Sequence, residues 1–194
     1  MMKKFLLLSI LLLLFLPAPT VGGQGLPLQK GAVEYRDPIQ VIYSGVSLNV
    51  PENPATLFVA RDGAVIRYDG GKEIDIGRTE KDHLPIKEDP ELNALDYARF
   101  VFGLSGKSAM PDHFSKRGYS ELIKIREFYA AADTIAERSE RGLQIYVVKN
   151  GPESHFDIEV HAVLQEEKNV LLFLGFKNFE TKIAEEMIST IKAK

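Results

Sequence analysis

Cysteine is absent from this chain of 194 residues. That excludes disulfide bridges, thiolate metal ligands, a cysteine nucleophile and the lipidated cysteine that tethers a bacterial lipoprotein. No apolar run reaches the roughly twenty residues that a helix rising about 1.5 Å per residue needs to cross a bilayer. The longest run, 5–16, is broken only by Ser9. Downstream of it Lys and Arg are never clustered, so the counterion-releasing contacts that hold a phosphate backbone are missing and nucleic acid is not an expected partner. Also absent are Asn-x-Ser/Thr acceptors, a Gly-x-Ser-x-Gly elbow, a His-Glu-x-x-His helix and any repeat at a fixed period.

What is present begins with a short basic start, Met1 to Lys4, followed by the apolar run and by small, turn-prone residues over 17–23. This is the pattern of a secretory signal peptide, with cleavage expected near Gly22-Gly23. Without Lys3 and Lys4 the 24 basic residues fall to 22 against 27 acids, a net charge of −5. The expected product, 24–194, is a soluble periplasmic or secreted protein with no membrane anchor. A single domain of about 170 residues buries about 70% of its unfolded surface and needs no covalent staples.

Residues 24–37 carry little periodicity and read as a tether or a first irregular strand. Runs 39–43 and 46–50 are β-rich and closed by Pro51 and Pro54. Runs 57–61, 64–68 and 73–77 follow, separated by Asp62-Gly63 and Asp69-Gly70-Gly71, which predicts an antiparallel meander with positive-φ turns. Segment 78–90 reads as an exposed connection. Apolar residues at helical spacing predict a helix over 91–102, a second from Ser120 to about 140 with Leu122, Ile125, Tyr129, Ala132 and Ile135 on one stripe, and a third over 179–191. Gly142 is the expected stop of the second helix. Strands are expected at 143–148, 156–165 and 170–176. The fold class is α+β.

The apolar strand ending in Pro51, the meander, a helix near Leu95, three late strands and a closing amphipathic helix ending Ile188-Ser189-Thr190-Ile191-Lys192 together resemble the PsbP-like family of extracytoplasmic domains. The resemblance implies a PsbP-like sandwich, an antiparallel sheet of about six or seven strands covered by about three helices. It also implies a non-catalytic accessory or binding role, some members associating with proteins or cations. The chain departs from the family pattern in having no Trp after the first strand's proline and in the long helix expected over 120–140.

Four residues are metal candidates: His155, Asp157, Glu159 and His161. Alternation along a strand puts them on one face, opposite Phe156, Ile158, Val160 and Ala162, and neighbouring i, i+2 side chains can share Zn²⁺ or Mn²⁺. Four in a row span too far to converge, so two of them with help from elsewhere would make the site. The plain alternative is the solvated face of a half-covered sheet. Glu80, Asp82, His83, Glu88, Asp89 and Glu91 lack calcium-loop spacing and read as a solvated loop or a docking surface for a basic partner. Gly106-Lys107-Ser108 has Val101 where a phosphate loop needs glycine, Ser189 and Lys192 have acylase spacing without its partner motifs, and His113 sits in a loop.

The expected function is therefore that of an exported, non-catalytic accessory protein acting through a protein partner in the cell envelope, inhibitor or immunity-type among the options, with no cofactor. The alternative is a small-ligand or divalent-cation binder using Asp157, Glu159 and His161. A hydrolase assembled from dispersed acids and histidines is a third class, because triads are built in space rather than in sequence.

Overall fold

The computed structural model describes residues 38–103, 116–132, 134–150 and 154–194, and side chains of the second stretch only from Ser120 onward. All belong to one unit, Ala32–Lys194. The leader, the tether, Gly106-Lys107-Ser108 and His113 lie outside the described residues.

Two I′-type pairs show how local chemistry builds the strands. Ser44 and Gly45 both take positive φ between β1 (Ile39–Tyr43) and β2 (Val46–Val50), and Arg141 and Gly142 do the same between β6 (Thr134–Glu140) and β7 (Leu143–Lys149). Positive φ at both central residues matches the right-handed twist of the flanking strands. The remaining strands are β3 (Thr56–Ala60), β4 (Gly63–Tyr68), β5 (Lys72–Glu80), β8 (Ile158–Leu164), β9 (Val170–Lys177) and β10 (Lys192–Ala193). They form a three-stranded sheet, β1-β2-β10, and a seven-stranded sheet, β3-β4-β5-β9-β8-β7-β6, with every pair antiparallel. The helices are α1 (Ala94–Phe102), α2 (Lys116–Ala130) and α3 (Thr181–Ser189). Among the described residues this is the α+β sandwich expected, and no helix is long and apolar enough to cross a membrane.

Alternation along the large sheet feeds two cores. Leu143, Ile145, Val160, Leu174 and Phe176 face the small sheet and α3, packing with Leu48, Val50, Met187 and Ile191. Tyr146, Val148, Val163 and Leu171 face the other way, under α1 and Leu122 of α2. An Asn93 capping box starts α1: its side chain accepts from the amides of Leu95 and Asp96, and the Asp96 carboxylate accepts from the Asn93 amide. The cap satisfies donors that the first helical turn leaves unpaired.

Three expectations are corrected. The helix expected over 120–140 ends at Ala130, and 134–140 is strand β6, because Arg141-Gly142 is a hairpin turn rather than a helix stop and Ile135 pairs with Val148. Asp62-Gly63 is not a positive-φ pair: the turn is Arg61-Asp62, and Gly63 begins β4 with its Cα so close to β5 that a Cβ would lie 2.6 Å from the Ile76 carbonyl oxygen. The 78–90 connection is not merely exposed, since it extends β5 to Glu80 and then buries Leu84 and Ile86 in the core beneath α1.

Candidate functional site

Strand β8 starts only at Ile158, so the alternation expected from residue 155 does not hold at its beginning. Phe156 folds back over the sheet onto Gly175, the register partner of Glu159; a Cβ at 175 would sit 2.6 Å from its ring. The four metal candidates consequently part company. His155 is exposed, its Nε2 2.7 Å from the Lys177 ammonium, and the Asp157 carboxylate accepts from the Asn178 amide at 2.6 Å. Glu159 and His161 alone stay together, with His161 Nε2 3.2 Å from Glu159 Oε2. Among the described residues no group of three or more His, Asp and Glu side chains stands ready to hold a metal ion.

The Glu159–His161 pair is sealed rather than solvated. Phe102 of α1 stacks on the imidazole at 4.0 Å between centroids, Tyr129 of α2 meets it edge-on at 5.6 Å, and Phe173 lies at 5.5 Å. Burial lowers the His161 pKa below its ordinary value, against the pull of Glu159. Burial pushes the Glu159 carboxyl up, but hydrogen bonds from His161, Ser154 and Tyr129 outweigh it and leave the pKa lowered. A neutral imidazole donating from Nε2 fits this site, because Nδ1 is buried with no partner among the described residues, and a proton there would be an unsatisfied donor. The pair is a buried structural network beneath two helices. Two acids of the 80–91 segment are engaged locally: Glu80 accepts from Arg78 at 2.9 Å and the Asp89 carboxylate from the Glu91 amide at 3.0 Å. At the end of α3, Ser189 donates to the Glu186 carbonyl.

A different feature, not singled out from the sequence, stands open. β3 is the terminal strand of the large sheet, and all five of its residues are exposed. Leu57, Phe58 and Val59 keep 55, 62 and 64% of their surface. The closing pair Ala60–Gly63 and the register Phe58↔Val65 turn the amides of Thr56, Phe58 and Ala60 toward β4. By the alternation of an antiparallel ladder, the N–H and C=O groups of Leu57 and Val59 then point outward, with no described strand beyond them. Leu57 and Val59 lie on the side of Ile66 and Ala64, and Phe58 on the side of Val65. The signal was three bulky apolar residues in succession, which a strand with one wet face does not carry.

Neither a protein-family model nor a curated protein sequence matches the chain.

Proposed function

We propose that the protein is an exported, non-catalytic accessory protein that acts by contact with another polypeptide, and that the outer edge of β3 is where contact is made. The observation that carries this reading is the combination, in one strand, of outward backbone hydrogen-bonding groups and three exposed apolar side chains. An added strand gains main-chain hydrogen bonds for affinity and side-chain contacts for specificity. Export is supported by the basic-apolar-small leader pattern, and an accessory role by the PsbP-like order of elements. A catalytic reading has less support, since the buried Glu159–His161 pair is closed off by Phe102 and Tyr129 and the remaining candidates are dispersed.

The test is a photoreactive amino acid at position 58, compared with one at Ser139 on the opposite edge, in cells producing the protein. Covalent adducts specific to position 58 are expected. Equal or absent labelling at the two positions would remove the reading.

A further inference from the structure

We infer that the strand that pairs with β3 is β3 of a second copy of this chain, joined antiparallel across a twofold axis through Phe58. This rests on the reading of β3 as the contact edge and names its occupant.

The strand is self-complementary. A twofold at Phe58 places Leu57 opposite Val59 of the other copy on one face, Phe58 opposite Phe58 on the other face, and Thr56 opposite Ala60. Because Leu57 and Val59 carry the outward amides, the two Leu57–Val59 pairs are the hydrogen-bonded ones and supply four main-chain bonds. The Phe58 pair falls in the non-hydrogen-bonded position, where side chains approach most closely. No charge lies within Thr56–Ala60 to repel its own copy. The nearest charged residues outside it are Glu52 before and Arg61 after, both exposed, and antiparallel pairing brings Glu52 of one copy to the same end as Arg61 of the other. An isologous contact of this kind closes on itself as a dimer instead of propagating.

The opposite edge of the large sheet is less suited. β6 carries Glu137, Arg138 and Glu140, charges that block strand addition. Heterologous β3-to-β6 stacking into filaments is thereby disfavoured. Pairing two five-residue strands falls below the roughly 1,200 Å² of a standard interface, so dimerisation is weak, with half-association between about 10 µM and 1 mM.

The absence of cysteine makes the decisive experiment simple. In a Phe58→Cys variant the only thiols of the dimer face each other across the twofold at about 4.5 Å between Cα atoms, inside the disulfide range. A Leu57→Cys variant puts its two thiols on a diagonal of about 7–8 Å, outside that range. Mild oxidation should therefore link Phe58→Cys efficiently and Leu57→Cys poorly, while a mixture of Leu57→Cys and Val59→Cys links well. Sedimentation of the unmodified protein should show a concentration-dependent monomer–dimer equilibrium. Phe58→Glu and Phe58→Lys should each be monomeric with unchanged far-UV circular dichroism, and mixing them should restore the dimer through an opposite-charge pair. A monomer up to millimolar concentration, or equal crosslinking at 57 and 58, would overturn the inference. If position 58 labels a different protein in cells and the purified chain stays monomeric, self-pairing falls and the contact-edge reading survives. If the purified chain dimerises and no other protein is labelled, self-pairing stands and the accessory reading falls.

Discussion

The two edges of the large sheet are built from opposite materials. β3 is uncharged, with bulky apolar residues on both faces. β6 carries Glu137, Arg138 and Glu140, and two of these charged side chains are engaged: Arg138 donates to the Ile188 and Ile191 carbonyls at the end of α3, and Gln144 of the adjoining strand donates to Glu137. Behind β6, strands β7 and β8 are covered by α1 and α2 on one face and by the small sheet and α3 on the other, while five of the seven β6 residues are themselves exposed. Side chains of that edge are engaged internally. At the β3 end the outer strand has no described cover, and its apolar side chains remain available. Ile39 and Ile42 of β1 and Phe128 of α2 are exposed as well, but β3 alone carries three such residues in succession, and contiguous apolar patches mark contacts.

Breaking the covered end should cost the most stability. Phe102 is fully buried and touches Tyr97, Tyr129, Tyr146 and His161, so Phe102→Ala should destabilise by about 3–5 kcal/mol, read by denaturant unfolding, without altering crosslinking at position 58. Acid should weaken the same end next. The folded protein holds the His161 pKa below its ordinary value of 6.5, so as pH falls through that value the unfolded chain takes up a proton that the folded one refuses. Glu159, with its pKa lowered from 4.5, contributes stability above 4.5 that disappears as pH falls through its folded value. Both signs agree: melting temperature should drop between pH 7.5 and 5.5 and again below 4.5, and His161→Asn should flatten the first step. A His161→Asn protein that keeps the full slope would show that other groups carry it.

Smaller effects sharpen the contrast. Arg138→Ala removes a cationic donor from the carbonyl end of α3 and should cost about 1–2 kcal/mol, while Asn93→Ala, which deletes the α1 cap, should cost about 1 kcal/mol. At the free end Phe58→Ser should change unfolding of the monomer by less than about 0.5 kcal/mol while abolishing association. Loss of several kcal/mol there would mean that Phe58 is a packing residue, and the distinction between the edges would vanish.

Local pattern alone determined most of the elements. Alternation placed β1, β2, β4, β7, β8 and β9 within a few residues, helical spacing placed α1 and α3, and Asp69-Gly70-Gly71 marked the break between β4 and β5, because these signals depend on neighbours in the chain. The failures came where a short segment obeys two periods or where contact is long-range. Ile135 suits a helical stripe as well as a strand, and only its pairing with Val148 decides. The spacing His155, Asp157, Glu159, His161 pointed to two neighbours sharing an ion, whereas in the structure His155 meets Lys177, Asp157 accepts from the Asn178 amide, and α1 and α2 bury Glu159 with His161. Sequence could show that 57–59 is apolar, but which strand ends the sheet is a property of topology. The tertiary structure alone decided that, because cover and pairing are supplied by residues distant in the chain, and no local period encodes them.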